Sequence, residues 1–472
     1  MGDLSVNIKK VLIVFLLLFV ALISYFSYFI AVKGPAIANN SQNKRLWAKR
    51  NEVLRGTIYD RDGNALTKSE KESTLTQKRE YTGGALFAHA LGYVDQRYGI
   101  TGLEATYDQE LMADNSLSYF ELIRNKGEVK EKIGHSIKTT LDSDVQRAAY
   151  DLLGDRKGSV VVLDPKTGEI LAMVSKPSFD PNNLEEIWKD INANEDRPLL
   201  NRSVSGLYPP GSIFKVITAA AALENIEGVE DRIFEDKGKI VFNSRYSLSN
   251  YGGSVMGNIN LRTAFMKSSN VVFGTLAMEL GNDKLKEVAE KFYFNRDIKG
   301  DGIVVDNSRF PEIPKTEPGN MAQSGIGQSS ILATPMEMAL TAATIANGGV
   351  MMKPKLVSEV LTFENESIRV IPDEKLAQVT SKEVADTIGS YMKDVVTSGT
   401  GKAAAVSGVQ VAGKTGTADH SEEGEPHSWF IGFAPYENPK VAIAVIVEKG
   451  GTGGGAASKI ASGVIQKALE KR

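Results

Sequence analysis

Twenty-two consecutive residues, Val11 to Val32, carry no charged side chain, with Lys9-Lys10 before them and Lys33-Gly34-Pro35 after. As a helix rising 1.5 Å per residue the stretch is about 33 Å long, enough to cross a hydrocarbon core. Its aromatics, Tyr25, Phe26, Tyr28 and Phe29, crowd the C-terminal end, where an interfacial belt belongs. Ala36-Ile37-Ala38 resembles a small-residue cleavage site, but the apolar region of a cleaved signal peptide runs only about 7–15 residues. The stretch therefore reads as an uncleaved signal anchor at 11–32 behind a tail at 1–10. Flanking charge alone would keep the large domain inside, since Lys44, Arg45, Lys49, Arg50 and Arg55 follow the helix. Long domains translocate largely regardless of such charges, and a chain without cysteine suits an extracytoplasmic location. Orientation is left to what the large domain does.

Length and composition narrow the rest. A chain of 472 residues, 42% hydrophobic and 24% charged, is globular and long enough for about three structural units. Its 55 basic and 58 acidic residues leave a net charge of −3, which argues against nucleic acid as a partner. With no cysteine and four histidines (His89, His135, His420, His427) lacking ligand spacing, no disulfide, metal or other cofactor is expected.

Residues 33–150 read as a basic linker followed by a small non-catalytic module. Within it, Arg55 to Thr67 forms a hairpin around the Asp62-Gly63-Asn64 turn, and helical patterning appears at Gly102–Leu111 and Asp142–Leu153. From residue 156 to 472 the pattern changes. Two β-branched runs, 159–164 and 169–174, flank Pro165-Lys-Thr-Gly168 as a hairpin. Helices are expected at 212–224, 260–281, 335–347 and 381–397, strands at 408–417, 427–434 and 440–448, and a last helix from Ala456 to Lys471. Strands at both ends with helices between them predict a mixed α/β (α+β) domain whose sheet is assembled from distant segments.

The chemistry concentrates in three short motifs. Ser212 follows Pro209-Pro210-Gly211 and opens an almost wholly apolar helix, with Lys215 one turn on and on the same face. An N-capping serine prefers Glu or Gln three residues later, and a lysine in the first turn opposes the helix dipole. A buried helix that starts against these preferences points to function. The S-x-x-K pattern recurs at Ser41/Lys44, in the linker, and at Ser390/Lys393, on an exposed helix face. K-T-G occurs at Lys166-Thr-Gly168, a hairpin turn, and at Lys414-Thr-Gly416 on a glycine-flanked strand ending in Thr417. Between them lies Ser268-Ser269-Asn270, an S-x-N pattern before apolar Val271-Val272-Phe273.

In this order and context the three motifs resemble the penicillin-binding proteins and serine β-lactamases. Asn201-Arg202, Tyr208-Pro-Pro-Gly-Ser212, Gly325-Ile-Gly-Gln328, Ala346-Asn-Gly-Gly349 and Trp429-Phe-Ile-Gly-Phe433 resemble the transpeptidase domain of that family. Arg55-Gly-Thr-Ile-Tyr-Asp-Arg-Asp-Gly63 and Gly102-Leu-Glu104 resemble the N-terminal module of its class B members. The resemblance implies a central antiparallel sheet with a helical subdomain, a small α+β pedestal and a membrane anchor.

It also implies roles. A serine hydroxyl needs a neighbour to take its proton. Lys215 can do so if burial and a second cation, Lys414, depress its pKa. Ser268 would relay a proton to the leaving amine and Asn270 would bind a substrate amide. The backbone N–H groups of Ser212 and Thr417 would form an oxyanion hole, worth about 3 kcal/mol per donor. Thr415, Gly416 and Thr417, with Lys414 supplying positive potential, would hold the substrate's terminal carboxylate.

Other readings are weaker on the residues. No G-x-S-x-G nucleophile elbow occurs, and Gly399-Thr-Gly-Lys402 does not complete a phosphate loop. His420, beside Glu422, Glu423 and Glu425, reads as a solvated loop. A class A β-lactamase needs a deacylating glutamate, and Glu312 and Glu317 lie in unsuitable proline-rich sequence. The expectation is a monofunctional D,D-transpeptidase that cross-links D-Ala-D-Ala stem peptides of peptidoglycan and is acylated by β-lactams. A D,D-carboxypeptidase, or a sensor of β-lactams or cell-wall peptides without turnover, is the alternative. The resemblance adds a membrane-embedded glycan polymerase of the shape, elongation, division and sporulation class as partner, and puts residues 33–472 outside the cell.

Overall fold

The computed structural model describes residues 2–34, 47, 50–73, 76–112, 132–419 and 424–471. His420, Glu422, Glu423 and the linker residues Ser41, Lys44, Arg45 and Lys49 lie outside them. The chain opens with α1 (Gly2–Tyr28), prolonged by a π-helical turn at Phe29–Lys33. Within Val6–Lys33 an 18-residue stretch has a mean hydropathy of 2.6, and none of that stretch is buried against the protein. A continuous apolar surface of this length, with every backbone group bonded inside the helix, is suited to lipid.

Short elements follow. The hairpin expected at residues 55–67 is one turn wide: β1 (Ile58–Tyr59) folds back through Asp60, whose Oδ1 accepts from the N–H groups of Asp62 and Asn64. The longer hairpin lies beyond it, β2 (Thr67–Lys71) against β3 (Gln77–Tyr81). The helix expected over Gly102–Leu111 is two pieces, α2 (Gly102–Thr106) and α3 (Asp108–Leu111), because Tyr107 leaves helical geometry at φ −114° and ψ 26°.

A buried ion cluster ties this module together. Arg55 Nε donates to Glu104 Oε2 at 2.6 Å, Arg79 Nε to Glu104 Oε1 at 2.8 Å, and Arg55 Nη1 to Asp108 at 2.7 Å. Burial pushes the Glu104 carboxyl up, but Arg79 and Arg55 together hold it below the usual carboxylate range.

Next come β4 (Ser136–Thr139) and α4 (Ser143–Leu153), the latter N-capped by Asp142. The central strands begin with β5 (Gly158–Leu163) and β6 (Ile170–Lys176). Helices α5 (Lys215–Asn225), α6 (Leu261–Met266), α7 (Asn270–Lys291) and α8 (Pro335–Ala346) occupy the middle of the chain. After β7 (Val357–Leu361) and β8 (Ser367–Val370) comes α9 (Lys382–Thr397), then β9 (Ala412–Ala418), β10 (His427–Ala434), β11 (Val441–Val447) and α10 (Ala456–Leu469).

Two sheets organise these elements. The larger has the order β9-β10-β11-β5-β6, antiparallel throughout, so the chain's end supplies three strands and residues 158–176 the other two. Its strands are buried on both faces. Val160, Phe430, Val445 and their alternates pack under α4 and α10, while Val161, Trp429 and Ala444 face the core that contains α8. Covered faces explain why these antiparallel strands read as continuous apolar runs instead of alternating. The smaller sheet, β1-β4-β7-β8, joins residues 58–59 and 136–139 to 357–370.

One expected helix needs correction. Residues 260–281 are not continuous: α6 stops at Met266 and α7 starts at Asn270. Ser268 N–H donates to Phe265 O at 3.1 Å and Ser269 N–H to Ala264 O at 2.8 Å. Ser268 itself has φ 60°. This is a Schellman stop with serine where glycine is usual, and a serine offers no sequence signal for it.

Candidate active site

The Ser212 turn sits against strand β9 because glycines let it. Gly211, at φ 56°, allows an approach in which a Cβ would lie 2.5 Å from Thr417 O, and a Cβ at Gly416 would lie 3.0 Å from Pro210 O. Trp429 Nε1, on the next strand, donates to Pro209 O at 3.0 Å, and Gly211 N–H to Gly327 O at 2.9 Å. Residues Gly211–Phe214 form a 3₁₀ turn, so Ser212 precedes the α-helix and does not lie in its first turn. Its side chain opens onto a cleft of about 790 Å³, also lined by Ser268, Asn270, Thr400, Thr415 and Thr417.

Lys215 is the first residue of α5 and is fully buried. Its Nζ donates to Ser268 O at 2.8 Å, to Ser268 Oγ at 3.1 Å and to Asn270 Oδ1 at 2.8 Å. Lys414, equally buried, donates to the same Ser268 Oγ at 2.9 Å and to Thr415 O at 3.1 Å. Among the described residues neither lysine is paired with a carboxylate. Burial pushes Lys414 down to about 7. Burial first, and the charge of Lys414 second, push Lys215 well below the ordinary lysine value. The Ser268 hydroxyl thus bridges two ammonium groups that are readily deprotonated.

Of the remaining predicted residues, Asn270, Thr415 and Thr417 line the same cleft while Gly416 packs against Pro210 and Trp429, and several are engaged by the protein. Asn270 Nδ2 donates to Ser249 O at 2.8 Å, so with Lys215 on its carbonyl it keeps one N–H for a ligand. The hydroxyls of Thr415 and Thr400 share a bond of 2.7 Å, and Thr417 Oγ1 accepts from Gly453 N–H at 3.1 Å. The glycine cluster at 450–455 therefore does more than turn the chain: a Cβ at Gly453 would lie 2.3 Å from Gly416 O. Sequence reasoning missed Thr400, Leu248, Ser249, Tyr251, Met256 and Asp419, which also line the cleft. Thr400 lies in the Gly399-Thr-Gly-Lys402 segment, whose only signal was its glycines. Of the look-alike motifs, Lys166 donates to Asn438 in a hairpin turn, and Ser390 bonds Thr387 O along α9.

Comparison with known proteins shows the family of this fold. The penicillin binding protein transpeptidase domain matches residues 158–466, and the penicillin binding protein A dimerisation domain matches 55–137. The peptidoglycan D,D-transpeptidase PbpA of Mycolicibacterium smegmatis is 32% identical, over 99% of this chain and 100% of its own. The chain belongs to the class B penicillin-binding proteins. Its Mycobacterium tuberculosis relative PbpA is 34% identical over 83% of this chain and 84% of its own. The structure of penicillin-binding protein A from M. tuberculosis as a penicillin G acyl-enzyme superposes with a TM-score of 0.82 at 34% identity, covering 88% of this chain and 100% of that one. The D,D-transpeptidase domain of an Eggerthella lenta peptidoglycan glycosyltransferase gives 0.80 at 36% identity, over 89% and 99%.

Proposed function

We propose that this protein is a membrane-anchored peptidoglycan D,D-transpeptidase that works through an acyl-enzyme on Ser212. The observation that carries the reading is the bonded series Lys215–Ser268–Lys414, buried without a counter-ion among the described residues beside a serine that opens into a cleft. In this reading residues 1–10 are cytoplasmic, 11–32 cross the membrane, 33–150 form the linker and pedestal, and 156–472 do the chemistry outside the cell.

Ser212 Oγ attacks the carbonyl of the penultimate D-alanine of a stem peptide while neutral Lys215 takes its proton. In the resting arrangement Lys215 Nζ is bonded to Ser268 and Asn270. It trades one of these bonds for Ser212, one turn away, as catalytic hydrogen bonds commonly do on substrate binding. The N–H groups of Ser212 and Thr417 stabilise the oxyanion. The proton then passes through Ser268 Oγ to the departing D-alanine amine, and the acceptor amine returns one by the same route. The substrate's terminal carboxylate, bound by Thr415 and Thr417, favours the charged form of Lys414. A β-lactam presents its ring carbonyl and carboxylate in the same places and leaves a stable acyl-enzyme.

Support for the membrane setting is the apolar helix and the pedestal that follows it. A monofunctional cross-linking enzyme must act where new glycan emerges, so the natural partner is a membrane-embedded glycan polymerase that meets the helix and the pedestal.

The test is mass spectrometry after reaction with penicillin. An adduct on Ser212 that is lost in Ser212→Ala supports the reading, and an adduct elsewhere refutes it. Incubation with a D-Ala-D-Ala peptide and an added amine should give more amide than hydrolysis product. Hydrolysis alone would make the enzyme a carboxypeptidase.

A further inference from the structure

The turn that carries Ser268 and Asn270 is held from a segment outside every motif. Asp236 is completely buried, yet among the described residues no cation bonds it. Its carboxylate accepts from Ser269 Oγ at 2.6 Å, from Asn250 Nδ2 at 2.8 and 2.9 Å, and from Gly238 N–H at 2.8 Å. Asn250, also buried, turns its Oδ1 to the backbone N–H groups of Asn270 at 2.8 Å and Val271 at 3.1 Å. Ser269 Oγ in turn accepts from Val272 N–H at 3.0 Å. Together these groups satisfy the otherwise orphan donors at the start of α7.

We infer that Asp236 and Asn250 are positioning residues that fix the Ser268 turn for proton transfer. Ser268 occupies a left-handed backbone conformation (φ 60°), which a residue with a Cβ holds only when its surroundings over-determine it. The residue after it is tied by its side chain to Asp236, and the next by its N–H to Asn250, so the backbone leaving Ser268 is fixed at two points. The Ser268 hydroxyl is thereby set at 3.1 Å from Lys215 Nζ and 2.9 Å from Lys414 Nζ. A carboxylate buried with no cation bonded to it costs stability. The charge-assisted bonds from Ser269, Asn250 and Gly238 offset that cost only while this turn keeps its shape.

This inference rests on the reading of Ser268 as the proton relay, and the experiment separates the two. Second-order acylation by a fluorescent penicillin is measured on the full chain in detergent, with the melting temperature of each variant. The variants are Ser268→Ala, Asp236→Asn and Ser269→Ala, with each of the last two also combined with Ser268→Ala; Ser269→Ala removes one bond to Asp236 and serves if Asp236→Asn does not fold. Asp236→Asn and Ser269→Ala should each slow acylation about tenfold or more. In the Ser268→Ala background either change should cost less than about threefold, because the group being positioned is already gone. Equal losses in both backgrounds, or a folded Asp236→Asn or Ser269→Ala protein with the wild-type rate, overturn the inference and leave the relay standing. An unchanged rate in Ser268→Ala alone overturns the relay and the inference with it.

Discussion

The chain buries ionisable clusters in two places and treats them in opposite ways. In the pedestal, Arg55 and Arg79 close on Glu104, which is wholly buried, with Asp108 completing the set. In the cleft, Lys215 and Lys414 are just as buried, share one serine hydroxyl and meet no carboxylate among the described residues. Opposite charges bonded to one another make a structural joint, even though Arg79 Nη2 has no partner among the described residues. Two like groups without a counter-ion are maintained against stability, and the return is a lysine that is neutral where an ordinary one is charged.

The two clusters also respond to pH with opposite signs. Glu104 is held below its ordinary value of 4.5, so its pairing stabilises the fold above that pH and is lost as pH falls through the folded value. The lysines have folded values below the ordinary 10.5, with Lys414 at about 7. The burial of Lys414 therefore costs most at low pH, and that cost fades as pH rises from about 7 towards 10.5, while the burial of Lys215 acts with the same sign.

Removing one member from each cluster sharpens the contrast. Lys215→Met should slow acylation about a thousandfold, with a melting temperature unchanged or raised because a desolvated amine has gone. A large fall in melting temperature would show that Lys215 is structural as well. Glu104→Gln should do the reverse, costing about 3 kcal/mol in a denaturant titration because two arginines lose their counter-charge. The folded fraction should still react with penicillin at the wild-type rate. A smaller effect is expected at Ser268, where Gly should be more stable than Ala by about 1 kcal/mol, since only glycine takes a positive φ freely. Both variants lack the hydroxyl and should be equally slow, and unequal rates would mean that the backbone, not the hydroxyl, matters there.

What was legible in the sequence follows the same division. Ser212, Lys215 and Lys414 could be read because each sits in a local pattern whose ordinary folding explanation fails. The central sheet could be read because its strands are apolar on both faces. Asp236 and Asn250 could not be, since they reach the S-x-N turn from 20 to 33 residues away and look like loop polar residues in isolation. The break at Ser268 was hidden because the residue in the left-handed position is a serine and not the glycine that marks such a stop. Strand β7 was missed because, although β8 follows it directly, its other partner, β4, lies more than 200 residues earlier in the chain.

The central claim is that Lys215 acts as a base because burial and the neighbouring Lys414 keep it uncharged. It is tested most directly by the pH dependence of acylation in wild type and in Lys414→Met, which removes the second amine while keeping the bulk. Without Lys414 the pKa of Lys215 should rise, so the acid limb of the rate profile should move to higher pH. An acid limb that stays in place or moves to lower pH would contradict the account.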